Sequence, residues 1–376
     1  MTMVKKKHII IIICLIISLL AAGTGGYFIG KHTETVHYQS EQDLEIRLNR
    51  SDLDGLGEIE GTIYVTGHKS PDSDTVCGSI AYAALLRKLG YDAVPVVLGD
   101  INQESAYILQ TAGLDVPERL EDASGLNMVL VDHSDYSQSA DGAENSRILS
   151  VIDHHGIGTI TTDHQLIYDS RPLGAAATVI WIRYRNYGVE LDKQTAHILL
   201  GAVLSDTKNL KADTTTFADK EAVKTLSDIA GITDVDAFYL NMYKASISYT
   251  GMTDEEIFFS DYKEYERGLT KYSIGCINVY DEADALNMAE RMKAILPSTL
   301  PTTGMDMAFA QINIFHDDIS ITYIVPSDDT ADEVIRTAFP DKGEFDGTSY
   351  KFDPGMSRKQ VIVPAITDVL DSYPKE

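Results

Sequence analysis

The chain has 376 residues, enough for two domains of ordinary size, and 44% of them are hydrophobic, as in a globular protein. Its formal net charge of -26 repels nucleic acid at long range, which excludes a sequence-independent DNA or RNA binder. The same charge repels any anionic small substrate, so a phosphate compound would need bound metals or a local group of Lys and Arg to hold it.

At the N-terminus Lys5 to Lys7 precede an uncharged run from Ile9 to Gly30. Its strongest part, Ile9 to Leu20, has the length of a signal-peptide h-region, and Ala21 and Gly23 offer a small-residue cleavage site. The full run of about 22 residues is enough to cross a bilayer. Residues 1–31 are therefore read as a membrane anchor, or as a cleaved signal that leaves a secreted protein. Lysines on the cytoplasmic side place the rest of the chain outside the cytoplasm. Residues 32–60 are polar and charged and read as a stalk. The cysteines, Cys14, Cys77 and Cys276, are too few for a disulfide framework, and the last two read as buried thiols.

Thr62 to Thr66 is a strand ending at Gly67. Thr75 to Leu89 has helical spacing and stops at Gly90, a suitable C-terminal cap. Ala93 to Leu98, Asn127 to Val131 and Ile148 to Ile152 are further strands, apolar along most of their length, as in a parallel sheet buried on both faces. Ala175 to Tyr187 and Lys193 to Leu204 read as helices. This alternation predicts an α/β domain with a parallel sheet over 61–246. After a linker at 247–258 the pattern restarts. Tyr272 to Tyr280 is a strand, Glu282 to Leu296 a helix, Met307 to Phe315 and Ile319 to Val325 a strand pair joined at His316 to Asp318, and Asp329 to Ala338 a helix. Residues 259–376 thus form a second, smaller α/β domain.

Polar clusters sit at the carboxyl ends of three apolar strands: His68, Asp72 and Asp74 after the first, Asp132 and His133 after NMVLV, and Asp153, His154 and His155 after ILSVI. In an open parallel sheet the ligand site lies beyond those ends. Asp206 follows the apolar helix that ends at Leu204. Any one of these acids alone would be a solvated turn or a helix cap. Together they repel one another unless something positive sits between them. A pair of divalent ions resolves that, and mixed imidazole and carboxylate ligands favour Mn, Fe, Co or Zn. Two such ions about 3.5–4 Å apart, sharing a carboxylate, can bind a hydroxide and clamp a phosphoryl group for in-line attack. The N-terminus of the helix near Thr75 adds a positive dipole end.

These residues resemble the DHH phosphoesterase superfamily, and within it the family II, manganese-dependent inorganic pyrophosphatases. The resemblance runs from about residue 60 to the end. GHKSPDSDT is similar to the family's first motif, with Ser70 where Asn is usual. VDHSDYSQS resembles the second, VIDHHG is the DHH signature, GAVLSDTKNLK resembles the fourth, and SRKQV resembles the phosphate-binding motif of the C-terminal domain. The resemblance implies that His68 and Asp72 bind a first metal with Asp132, and that Asp74, His154 and Asp206 bind a second, with Asp132 bridging. It implies two or more Mn2+ per site, with Co2+ or Mg2+ as substitutes and Mg2+ accompanying the substrate. It makes His155 a substrate contact that helps protonate the leaving phosphate, and Arg358 and Lys359 the grip on the other phosphate. Lys211 is the candidate for a further substrate lysine, its spacing from Asp206 fitting better than that of Lys208. The active site would then lie in an interdomain cleft that closes over pyrophosphate. SRK next to VIVPAI reads as a loop entering a buried strand.

The chain departs from the family pattern at Gln360, where a second lysine is common, and in its N-terminal segment, because members are usually soluble and cytoplasmic. The expected activity is hydrolysis of pyrophosphate by a metal-bridging hydroxide. The alternatives are an exopolyphosphatase or related phosphoanhydride hydrolase, a nanoRNA or cyclic-dinucleotide phosphodiesterase, and a non-catalytic membrane-tethered sensor of a phosphate ligand. Expected partners are pyrophosphate or short polyphosphate as a metal complex, the membrane, and a second copy of the chain, but no nucleic acid.

Overall fold

The computed structural model describes residues 39–316, 319–340 and 342–372. The chain divides after Tyr239 into two compact units, ahead of the linker expected at 247–258. Unit 1 comprises α1 (39–54), β1 (Ile63–Thr66), α2 (Ser73–Lys88), β2 (Ala93–Val97), α3 (Gln103–Ala112), β3 (Glu118–Arg119), β4 (Asn127–Val131), β5 (Arg147–Asp153), β6 (Ile167–Ser170), α4 (Ala176–Asn186), α5 (Lys193–Asp206) and α6 (Phe217–Ala230). Its six strands form one parallel sheet in the order β3-β2-β1-β4-β5-β6. The strand order reverses between β1 and β4, and such a reversal opens a crevice beyond the strand ends. Residues 128–131 of β4 and 148–152 of β5 are all buried, which fits a sheet covered by helices on both faces.

The turn out of β1 depends on Gly67. A Cβ there would lie 2.1 Å from Thr75 Cγ2, so only glycine lets the turn pass under the first residues of α2. Asp72 caps α2, accepting a hydrogen bond from the Thr75 amide at 3.0 Å.

The segment expected as a stalk carries α1, which packs on unit 1. Leu53 is buried. Arg50 donates from Nε and Nη2 to the Tyr187 carbonyl at 2.7 and 2.5 Å, and the Tyr187 hydroxyl donates to the Asp52 carboxylate at 3.0 Å. Arg183, nearly fully buried, stands between Asp52 at 3.6 Å and Asp169 at 2.8 Å. A guanidinium taken out of water needs that pairing. Charged residues fill the positions between the apolar ones of α1, which is why the segment reads as solvated.

In unit 2, α7 (Val235–Ser246), which spans the division, leads to α8 (Asp254–Phe259), β7 (Tyr262–Arg267), β8 (Thr270–Val279), α9 (Glu282–Thr303), β9 (Met307–His316), β10 (Ile319–Pro326), α10 (Asp329–Ala338), β11 (Glu344–Phe345), β12 (Tyr350–Phe352) and α11 (Val363–Asp371). The sheet order is β11-β12-β10-β9-β8-β7, with β8 and β9 parallel and the other pairs antiparallel. One face packs α8 and α9 through Phe258, Met292, Ala310 and Ile312; the other packs α10 and α11 through Phe309, Ile335 and Ile366.

Two local expectations differ from the structure. The helix expected to end at Leu296 continues to Thr303 through Pro297 and Pro301, because Leu296 and Thr299 stay buried along the same face. VIVPAI is not a strand: Arg358–Ile362 form a π-helical turn and Val363 begins α11. Pro364 lies in the first turn, where its missing N–H costs nothing, and Ile362, Ile366, Val369 and Leu370 recur at helical spacing into the core.

The expectation of a membrane-anchored chain with an extracytoplasmic catalytic domain is corrected. Among the described residues no helix is long and apolar enough to cross a membrane. The longest helix given by its bounds, α9, carries Glu282, Asp284, Glu290, Arg291 and Lys293. The segment from Ile9 to Gly30, on which the expectation rests, lies outside the described residues.

Docking of α1 predicts that Leu53→Ala destabilises the folded chain by about 2–3 kcal/mol, with the cavity left behind included. Denaturant unfolding measures this; a loss near zero would show that α1 is not held.

Candidate metal centre

Four segments of unit 1 converge beyond the ends of β1, β4 and β5. The registers Thr66↔Leu130 and Val131↔Ile152 place these strand ends side by side. His68 and Asp72 come from the β1–α2 turn, Asp74 from the first turn of α2, Asp132 from the end of β4, His154 from the end of β5, and Asp206 from the last residue of α5. His68 Nε2 lies 3.4 Å from Asp72 Oδ2 and 3.4 Å from Asp132 Oδ2. His154 Nε2 lies 3.1 Å from Asp132 Oδ1, 3.4 Å from Asp206 Oδ2 and 3.9 Å from Asp74 Oδ2. Three overlapping groups able to hold a cation result, His68–Asp72–Asp132, Asp74–His154–Asp206 and Asp132–His154–His155, each with donor atoms within 4.8 Å of one another. Asp132 presents one oxygen to each imidazole.

The backbone commits Asp132 to that position. Its φ is 64°, a left-handed conformation that costs a non-glycine residue about 1–3 kcal/mol. Thr75 Oγ1 donates to Asp132 Oδ2 at 3.0 Å. Asp74, fully buried, accepts from the Ala176 and Ala177 amides at 2.6 and 2.8 Å, so the first turn of α4 fixes its carboxylate. Both imidazoles are oriented from behind. His68 Nδ1 is 2.7 Å from the Lys69 carbonyl and His154 Nδ1 is 3.1 Å from the Leu173 carbonyl. Each Nδ1 donates its proton there, so Nε2 faces the carboxylates and becomes a metal-ligating lone pair once its own proton leaves.

Asp132 Oδ1 and His154 Nε2 are buried without a hydrogen-bond partner although they lie 3.1 Å apart. Buried polar atoms left this way need a ligand. The charges agree. Burial, then Asp206 and Asp132 beside it, hold the Asp74 carboxyl well above its ordinary range. Burial, then Asp132 and Asp72, push Asp206 up to about 7. Burial opposes charge on Asp132, yet His154 and His68 hold its carboxyl well below the ordinary range. Burial would depress His68 and His154, but Asp132 and its neighbours outweigh it and push them up to about 11 and about 10. Without a metal the site gathers protons where cations belong. Mixed oxygen and imidazole donors suit manganese.

His155 lies beside this centre. Its ring is more than half exposed, with Nδ1 3.1 Å from Asp153 Oδ1 and 3.5 Å from Asp132 Oδ1. The Asp153 contact, against burial, raises its pKa. Asp153 Oδ1 also accepts from the His154 and His155 amides at 2.8 and 3.0 Å, which shapes the DHH turn. His133 is buried with both nitrogens engaged, by the Val131 carbonyl and Ser139 Oγ. It supports the loop and offers no ligand.

Unit 2 carries a polar pocket of about 600 Å3. It opens where the α10–α11 face of the sheet changes chemistry: Tyr272 and Ile274 give way to Cys276 and Asn278 along β8, and Met307 and Phe309 to Gln311 and Asn313 along β9. The buried amides are tied together, Gln311 Nε2 donating to Asn313 Oδ1 and to the Met356 carbonyl at 2.9 Å. Arg358 and Lys359 line this pocket. Arg358 is pinned by Asp261 Oδ1 at 2.7 Å, the Asp261 carbonyl at 2.7 Å and the Ile274 carbonyl at 3.3 Å. Gln360 is exposed. Lys211 is exposed on the turn after α5 in unit 1, where Lys208, Asn209 and Leu210 all have positive φ. Lys263, missed in the sequence, lines the unit 2 pocket with Arg358 and Lys359. Its signal is the alternation Asp261, Lys263, Tyr265, which puts the three on one face.

Two family models match the chain: the DHH family, N-terminal domain, over residues 62–203, and the DHHA2 domain over residues 240–369. The chain is 35% identical over 311 residues to a probable manganese-dependent inorganic pyrophosphatase of Exiguobacterium sp., covering 82% of this chain and 98% of that protein. It is 34% identical over 311 residues to the manganese-dependent inorganic pyrophosphatase of Methanocaldococcus jannaschii, covering 81% and 97%. A crystal structure of a putative family II inorganic pyrophosphatase from Methanococcus jannaschii is similar at a TM-score of 0.51 and 32% identity, covering 82% of this chain and all of that one.

The protonated imidazoles predict competition between protons and metal. Binding of Mn2+ at pH 7 should release protons from His68 and His154, and from the raised carboxyls of Asp74 and Asp206, so affinity should rise with pH. Calorimetric titration in buffers of different ionisation heat counts them. Binding without proton release would contradict the charge state described above.

Proposed function

This chain belongs to the manganese-dependent inorganic pyrophosphatase family of DHH proteins, and from that premise we propose how its residues divide the hydrolysis of pyrophosphate to two phosphates. Manganese is the cofactor. His68, Asp72 and Asp132 would hold one ion and Asp74, His154 and Asp206 the other, with Asp132 placed beside both groups. The observation that carries this reading is that the buried Asp132 belongs to the first ligand group and lies 3.1 Å from His154 of the second. Two ions held this way supply Lewis acidity, making a water acidic enough to attack near neutral pH and offsetting phosphoryl charge.

The remaining work falls to side chains. Asp132 stays ionised and sets the spacing of the two ligand groups. His155 is held through Nδ1 by Asp153 and retains its proton above the usual imidazole range. It donates that proton to the departing phosphate, as a general acid should. Arg358, Lys359 and Lys263 grip phosphate oxygens. Asp261 and two carbonyls preset the Arg358 guanidinium, and a planar fork held in place matches phosphate geometry better than a free chain end. Lys263 is assigned as the third cation because it shares a pocket with the other two; Lys211 is the unit 1 alternative.

Phosphate release from pyrophosphate, tripolyphosphate and long polyphosphate, with Mn2+ or Mg2+, tests this. Pyrophosphate with Mn2+ should be fastest, and Asp132→Ala should fall to background. Preference for the long chains would favour the polyphosphatase. Lys263→Ala should cost about 10–100-fold in kcat/KM, the worth of one charged hydrogen bond. If Lys211→Ala costs as much and Lys263→Ala nothing, the substrate lysine lies in unit 1.

A further inference from the structure

Glu104 lies on α3, outside every motif described above, yet it touches two of the segments that deliver metal ligands. Its Oε1 accepts a hydrogen bond from Ser73 Oγ at 2.7 Å and another from Ser205 Oγ. Ser73 is the residue between Asp72 and Asp74, and Ser205 directly precedes Asp206. One carboxylate oxygen therefore joins the start of α2 to the end of α5. Ser73 is fully buried and also meets Ser105 Oγ at 3.2 Å.

The packing holds Glu104 at that junction. Asn102 caps α3, accepting from the Ser105 amide at 2.7 Å, and so fixes the first turn that carries Glu104. One turn further on, Ile108 sits against Gly201, which lies one turn before Ser205 on α5. A Cβ at Gly201 would be 2.9 Å from Ile108 Cδ1, so glycine is what lets α3 approach. Pairing Ile108 with Gly201 and Glu104 with Ser205 is one helix–helix register read at two levels.

We propose that Glu104 is a positioning residue of the metal centre, setting the separation of Asp74 and Asp206 by joining Ser73 to Ser205. The inference rests on the ligand assignment above. Asp74 and Asp206 repel each other, and each is attached to a different helix end. α2 and α5 also pack directly on each other, so the Glu104 tie does not hold the helices together; it fixes the two helix ends on which the repelling acids stand. Glu104 does not itself join the ligands gathered around Asp132; it acts through two hydroxyls, as outer-shell partners of metal ligands do.

The test is Mn2+ affinity of the full chain, by calorimetric titration, with thermal unfolding in parallel. Glu104→Ala should weaken Mn2+ binding by about 10–100-fold, the usual effect of losing an outer-shell partner. Glu104→Gln, whose amide oxygen can still accept from both hydroxyls, should restore most of it. Ser205→Ala, a smaller change that leaves Glu104 in place, should weaken binding in the same direction and add little further loss to Glu104→Ala. Unchanged Mn2+ affinity in folded Ser205→Ala and Glu104→Ala would overturn the proposal, even if both unfold at lower temperature. Asp206→Ala separates the two failures: if that variant also binds Mn2+ normally, the ligand assignment is wrong.

Discussion

Carboxylates crowded around Asp132 are the constraint on which unit 1 is built. Two like charges about 4 Å apart repel by about 4 kcal/mol at an effective dielectric near 20. Asp72, Asp74, Asp132 and Asp206 share donor groups of that size with His68 and His154. No arrangement of apolar packing relieves this. The protein instead spends backbone strain at Asp132, the first amides of α4 on Asp74, and backbone carbonyls on both imidazoles to hold the charges in place. Such preorganisation makes sense if the relief arrives as metal.

The parallel sheet explains how distant segments reach one point. Strand order reverses between β1 and β4, so the turns leaving β1, β4 and β5 crowd one crevice. Helices then carry the second tier: α2 begins there, α5 ends there, and α4 begins where Asp74 can cap it. The same division of labour appears in unit 2 in another form. Its sheet is apolar at one end and lined by amides, a thiol and cations at the other, so one set of strands supplies both a core and a pocket.

Much of unit 1 was legible in the sequence because buried parallel strands announce themselves as continuous apolar runs, and the polar residues that interrupt them at their carboxyl ends are conspicuous. Of the residues brought together around Asp132, all but Asp206 were named from that pattern; Asp206 was named from the apolar helix that ends at Leu204. Lys263 was not legible, because YKEYER reads as a charged surface strand until Asp261, Lys263 and Tyr265 are seen on one face. Glu104 was hidden for a related reason: it lies on an amphipathic helix and reaches the site only through serines on two other helices. The strand reading of VIVPAI failed because a short apolar run fits either period, and the proline that argues against a central strand is also a good helix start. The stalk reading failed at α1 because Leu53 is its one buried residue and its other anchors, Arg50 and Asp52, are exposed charged side chains.

The decisive measurement is a crystal structure of the Mn2+-loaded chain with anomalous scattering recorded at the manganese edge. Two peaks about 3.5–4 Å apart, one on each oxygen of Asp132, are predicted. A single peak, or two peaks that do not share Asp132, would contradict the two-metal centre.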